Sequence, residues 1–261
     1  MSNRIEQKFR LLAKTRRKGL ITFIMGGDPS LKASQRILAS LSKAGADIIE
    51  IGMPFSDPMA DGPAIQAAGQ RALKAGTKLK DILKLVKNFR SKDDATPIIL
   101  MGYFNPIYHY GTGKFCENAA SAGADGVIIV DLPPEEEEEF TSCATPQGLR
   151  LIRLIAPTTD DARFALLCKT AGGFLYYISI AGITGTKSAN AKQLKERVRH
   201  LKSMTPLPVA VGFGIKRPDQ ARNAAKVSDA VVVGSALVDK IRTKPKAAVA
   251  FVKSLRKAIG P

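Results

Sequence analysis

Eight short runs rich in β-branched residues recur along the chain, each bounded by Gly, Pro, Asp or Ser and each followed by residues with helical spacing. They read "LITFIM" (20–25), "ADIIEIG" (46–52), "PIILMGY" (97–103), "GVIIVD" (126–131), "RLIRLIA" (150–156), "FLYYIS" (174–179), "LPVAVGF" (207–213) and "AVVVG" (230–234). Near-continuous apolar strands need cover on both faces, and helices between successive strands supply it in a parallel sheet. Eight such units predict an α/β fold, a closed (β/α)8 or TIM barrel, and the 261 residues suit one barrel of about 250 residues. A single domain, 1–261, is therefore expected, with no linker to divide it. The extra N-terminal helix "RIEQKFRLLAKTRRK" is expected to cap the barrel bottom, where the apolar strand ends need covering.

The connecting segments carry start and stop signals. "SLKASQRILASLSKAGAD" offers Ser30 as an N-cap and Gly45 as a stop, and "CENAASAGADG" stops at Gly123 in the same way. The repeated "AGAD" at 44–47 and 122–125 marks two helix-to-strand turns of one kind. Five glutamates, 135–139, follow Pro133-Pro134 at a helix start, where negative charge suits the helix dipole, so no chemistry is assigned to them.

Composition removes several classes of function. Cys116, Cys143 and Cys168 are far apart, with no CxxC spacing for zinc or a disulfide framework, which suits a reducing cytoplasm. His109 and His200 each lack a second ligand nearby in sequence, so no metal site and no His-based triad is expected. The net charge of +17 raises nucleic acid as a partner, but the cations are spread over several helices and occupy the polar positions of amphipathic patterns. A solvated surface is the simpler account. No apolar run approaches the roughly 18–20 residues that span a bilayer, so neither a membrane nor export is expected.

In a barrel of this kind, chemistry belongs at the C-terminal ends of the strands and in the loops beyond them. Strand seven ends in "GFGI", and strand eight ends in "VVVGSAL", where Gly234-Ser235 leads straight into a helix. Glycine backbone and a helix N-terminus can cradle a phosphate; a tight turn with an ordinary N-cap is the alternative. The loop "SIAGITGTKSAN" (179–190) has the make-up of a lid or of a plain connector. Glu50 interrupts the apolar "ADIIEIG", and Asp61 follows eleven residues later before Gly-Pro. Partial desolvation among Ile48, Ile49 and Ile51 raises a carboxyl pKa, so two acids in different surroundings can divide acid and base roles. Glu50 as a paired strand-end charge and Asp61 as a helix cap are the plainer readings.

The stretch "EIGMPFSDPMADGPAIQ" resembles the signature of the tryptophan synthase alpha subunit family. So do "FIMGGDP", "ILMGYFNPIYHYG", "VDLPPEE", "GFLYYISIAGITG", "VGFGIKRPDQ" and "VVVGSALV", in that order along almost the whole chain. The resemblance implies a lyase that cleaves indole-3-glycerol phosphate by a reverse aldol reaction to indole and glyceraldehyde 3-phosphate, late in tryptophan biosynthesis. It implies Glu50 and Asp61 as catalytic acids, with Tyr176 assisting Glu50. It assigns Gly185, Gly214, Gly234 and Ser235 to the phosphate, and Phe23, Ile65, Met101, Ile128 and Phe213 to an apolar indole slot. Thr184 becomes the lid residue that reaches toward Asp61.

The same resemblance implies a chain with no cofactor of its own, bound in an α2β2 heterotetramer to a beta subunit that carries pyridoxal phosphate; the cytoplasmic setting is expected from the cysteines. "PFSDP", with Asp57, and "YFNPIYHYG" match the regions that face that partner. Ile180-Ala181 before the lid glycine and the strong positive charge depart from the family's usual pattern. Two rivals stand beside this reading. Another phosphate-binding barrel enzyme would recruit a strand-end Lys or metal ligands, and the strand ends show no lysine. A non-catalytic activator of the beta subunit would not need both Glu50 and Asp61.

Overall fold

The computed structural model describes residues 3–178, 187–212 and 214–260. The strands are β1 (Gly19–Met25), β2 (Ile48–Gly52), β3 (Ile98–Gly102), β4 (Gly126–Ile129), β5 (Arg150–Leu151), β6 (Arg153–Ile155), β7 (Leu175–Ile178), β8 (Val209–Gly212) and β9 (Ala230–Val233). All pair in parallel, in the order β5-β4-β3-β2-β1-β9-β8-β7-β6. The two ends of this sheet are consecutive in the chain and are joined by Ile152, so the sheet curls into a nearly closed barrel.

The count of nine against the expected eight comes from the run at 150–156. Its first half pairs with β4 and its second half with β7, and the Ile152 N–H donates to the Val127 carbonyl at 2.9 Å. Closure requires a stagger between neighbouring strands, and here one stave meets its two neighbours over different residues.

The helices are α1 (Arg4–Lys14), α2 (Leu31–Lys43), α3 (Pro63–Lys74), α4 (Leu79–Arg90), α5 (Phe104–Tyr110), α6 (Thr112–Ala122), α7 (Glu138–Ala144), α8 (Asp161–Cys168), α9 (Lys187–Met204), α10 (Pro218–Ala225), α11 (Ser235–Thr243) and α12 (Pro245–Ala258). Strand alternation sorts side chains between two cores. Ile49, Ile51, Leu100 and Val127 face outward, into the cluster shared with the helices. Ile21, Ile48, Ile99, Ile128, Ile152 and Phe174 face inward and fill the barrel.

Helix α1 closes the bottom, as the sequence predicts. Asn3 caps it by accepting the Ile5 N–H at 2.9 Å, and Ile5, Phe9 and Leu12 join the interior cluster. The Phe9 ring lies 5.6 Å from that of Phe174. The repeated "AGAD" turns have a specific job at this end. Asp47 accepts the Leu20 N–H at 2.9 Å, and Asp125 accepts the Ile98 N–H at 2.8 Å. Asp229 does the same for Val209 at 2.9 Å. Each carboxylate ties the start of its own strand to the start of a neighbour and is held in turn by Arg256, by Arg90 and Arg4, or by Lys202.

Ser30 accepts the Ala33 N–H, as expected of an N-cap. The glutamate run does more than charge a helix start. Glu137 is buried against Arg153, Glu135 pairs with Arg163, and Glu139 accepts the Thr112 hydroxyl at 2.6 Å. Among the described residues no helix is long and apolar enough to cross a membrane. The three cysteines are unbridged.

Candidate active site

Glu50 occupies the middle of β2, in register with Phe23 of β1 and Ile99 of β3. The same alternation that sends Ile49 and Ile51 outward turns Glu50 inward, one layer above Ile48. It is 1% exposed, and its Oε1 meets no hydrogen-bond partner among the described residues. Loss of water there pushes the carboxyl pKa up to about 8. Among the described residues Glu50 forms no ion pair, and burial favours its protonated, neutral form.

Asp61 reaches the same space from the loop between β2 and α3. The N-cap of α3 is Gly62, with no side-chain cap bond, so Asp61 is not serving as a helix cap. Burial pushes its pKa up to about 6, against the opposing effect of a hydrogen bond from the Tyr103 hydroxyl. The same Tyr103 oxygen accepts the Ala60 N–H at 3.0 Å, and its ring lies 5.5 Å from Phe55. One phenol thus ties the loop that carries Asp61 to the end of β3. The Gln66 side chain adds a bond to the Asp61 carbonyl at 2.9 Å.

Both acids line one cleft of about 220 Å³ at the C-terminal ends of the strands. Tyr176, inward on β7, joins them. Its hydroxyl pKa is held above the ordinary value by burial and then by the charge of Glu50. Gly212 on the neighbouring strand makes room for that ring, since a Cβ there would lie 2.3 Å from Tyr176 Cε2. Phe23, Ile65, Met101 and Val232 give the cleft its apolar surface.

The loop after β8 and the start of α11 bring Gly214, Gly234, Ser235 and Ala236 to the same cleft. Gly214 has a φ of +36°, in the region that favours glycine. Leu237 and Val238 donate back to the Gly234 carbonyl, which leaves the Ser235 and Ala236 N–H groups without intrahelical partners. Such a helix start, lined by glycine, suits an anion.

Of the residues singled out in sequence, Glu50, Asp61, Tyr176, Phe23, Ile65, Met101, Gly214, Gly234 and Ser235 meet in this cleft. Ile128 does not line it. That side chain is fully buried in the barrel interior, in register with Met101. Thr184, Gly185 and Phe213, with the greater part of the 179–190 loop, lie outside the described residues.

Gly212, from the "GFGI" run marked in sequence, also lines the cleft, as do Val232, Ile178 and Lys216, which were not assigned from sequence, nor was Tyr103 as the support for Asp61. Alternation along "AVVVG" could have marked Val232, and the cation two residues beyond Gly214 could have marked Lys216. Among the described residues no group of three or more His, Cys, Asp or Glu side chains is arranged to hold a metal ion.

Comparison with known proteins points to one family. The family model described as tryptophan synthase alpha chain matches residues 9–260. A curated tryptophan synthase alpha chain from Granulibacter bethesdensis is 54% identical over 237 residues, covering 91% of this chain and 85% of that one. The crystal structure of tryptophan synthase subunit alpha from Legionella pneumophila superposes with a TM-score of 0.92 at 40% identity, covering 99% of both chains. A chain of tryptophan synthase from M. tuberculosis, in an aminoacrylate-bound form, does so with a TM-score of 0.90 at 31% identity, covering 99% of this chain and 100% of that one.

Proposed function

The chain belongs to the tryptophan synthase alpha chain family, lyases that cleave indole-3-glycerol phosphate to indole and glyceraldehyde 3-phosphate, and from that membership we propose how its residues divide the reaction. The substrate's phosphate sits against Gly214, Gly234 and Ser235, and its indole lies between Phe23, Ile65 and Met101. Anchoring at one end fixes the reacting carbon at the other, which converts binding energy into orientation.

Breaking the bond between indole C3 and the side chain requires a proton on C3 and removal of one from the neighbouring hydroxyl. Glu50, protonated at neutral pH, gives its proton to C3. The resulting carboxylate then takes the hydroxyl proton as the carbon–carbon bond breaks, so the acid ends the cycle as it began. Positive charge develops toward the ring nitrogen meanwhile, and ionised Asp61 accepts the indole N–H and stabilises it. Tyr176 keeps Glu50 in position. The observation that carries this reading is the convergence on a single cleft of a fully buried acid, a more exposed acid and a glycine-lined helix start, with burial raising the first acid's pKa to about 8 and the second's to about 6.

The rest of the assignment follows the family. The chain acts without a cofactor of its own, in the cytoplasm, as one domain, and with a beta subunit in an α2β2 assembly. Met59 in the loop before Asp61 and Tyr108 on α5 are 78% and 62% exposed, and large apolar side chains left in water suit a contact surface. Because that loop also carries Asp61, docking there bears directly on the catalytic acid.

The test is substitution. Glu50→Gln and Asp61→Asn are each expected to lower indole release by about 10²–10⁴-fold. Binding of a phosphate-bearing substrate analogue, followed by calorimetry, is expected to persist in both. Unchanged turnover in either variant would remove that residue from the mechanism.

A further inference from the structure

Among the described residues, the glycine-lined end of the cleft carries one positive charge. Lys216 follows Gly214 and Ile215 in the loop after β8 and lines the cleft together with Gly234, Ser235 and Ala236. Among the described lining residues the other charged groups are the acids Glu50 and Asp61, so Lys216 is the single cation among them. Its backbone is fixed: the N–H groups of Lys216 and Arg217 both donate to Gln220 Oε1, at 2.8 and 3.1 Å, which pins the loop to the first turn of α10. The next cation along is already engaged, since Arg217 makes two bonds of 3.0 Å to Asp219. Lys216 has no carboxylate partner among the described residues.

We propose that Lys216 is a positioning and specificity residue for the phosphate end of the substrate, supplying the counter-charge that a cradle of neutral backbone donors lacks. This inference rests on the reading of the cleft given above and adds to it a charge term. A phosphate ester near neutral pH carries close to two negative charges. Backbone N–H groups orient such an anion but leave its charge uncompensated, and an ammonium on a flexible stem can follow it as a point charge. The arrangement also separates function along the cleft. The cation belongs to the anchoring end and the acids to the reacting end, so Lys216 acts on binding and not on proton transfer.

Because the side chain is exposed, solvent and salt weaken the interaction, and the expected effect is moderate. With the beta partner present, Lys216→Gln is expected to raise KM for indole-3-glycerol phosphate about 5–10-fold and to leave kcat within about twofold. Lys216→Arg is expected to restore most of the loss. Binding of glycerol 3-phosphate, measured by calorimetry, is expected to weaken by the same factor, while binding of indole alone stays as in the wild type. Unchanged KM and unchanged glycerol 3-phosphate affinity in Lys216→Gln would overturn the proposal, as would a loss confined to kcat. The two readings fail separately. A wild-type chain that releases no indole contradicts the proposed reaction, whereas glycerol 3-phosphate binding judges Lys216 whatever the turnover.

Discussion

Glu50 is placed where a hydrocarbon side chain would stabilise the barrel more, and the consequence is a defined pH dependence of stability. The folded chain holds the Glu50 proton up to about pH 8, whereas the unfolded chain releases it near the ordinary value of 4.5. Between those values the native state binds the extra proton, so stability is highest below the unfolded pKa, falls as pH rises through the window and levels off above it. Glu50→Gln removes this titration. Unfolding free energies of the two proteins, from denaturant titration, are expected to diverge in favour of the variant as pH rises from about 4.5 to about 8, by a few kcal/mol at most. Parallel free energies would mean that the wild-type carboxyl ionises freely. Tyr103 acts in the opposite sense on its neighbour, because its hydrogen bond holds the Asp61 pKa down. In Tyr103→Phe the acid limb of the rate profile is expected to move above pH 6, with Glu50's limb in place; an unmoved acid limb would dismiss that role. Glu50 was legible in sequence because an acid stood in an apolar run. Tyr103's role was not, since it depends on residues 55–61 folding back over β3, which no local pattern encodes.

At the scale of elements, opposite ends of the strands do different work. The floor is held by Asp47, Asp125 and Asp229, each accepting an N–H at the start of a neighbouring strand. Asp125→Ala would leave the Ile98 N–H and the Arg90 guanidinium without that partner. It is expected to lower stability by about 2–4 kcal/mol while KM and kcat of the folded fraction stay near wild type. A loss of kcat at full stability would contradict this separation. At the mouth, Gly212→Ala is expected to leave the fold intact but cut turnover by at least about tenfold, because the added methyl must displace the Tyr176 ring. The alternation of strands and helices was readable from periodicity. The division of the fifth stave at Ile152 was not, because it arises from how the closed sheet staggers, a property of all the staves together. The "AGAD" repeat was visible as a turn, but its hydrogen bonds cross between strands and appear only once the strands are side by side.

For the whole molecule, the net charge of +17 acts at a distance that no single contact reaches. A positive field draws a phosphate-bearing substrate toward the barrel, and salt screens it within about 10 Å at 0.1 M. The ratio kcat/KM is accordingly expected to fall as sodium chloride is raised, through KM more than through kcat; a salt-independent KM would assign the charge to solubility alone. All of this serves a cleft in which two acids of the same chemical type hold different protonation states, and that claim is the one to test. The most direct measurement is kcat/KM for indole release from indole-3-glycerol phosphate across pH, for the wild type with its beta partner. Asp61 ionised above about pH 6 and Glu50 protonated below about pH 8 require a bell with limbs near those two values, the upper limb absent from the residual activity of Glu50→Gln. A flat profile, or a rate that keeps rising beyond the upper limb, would contradict the account.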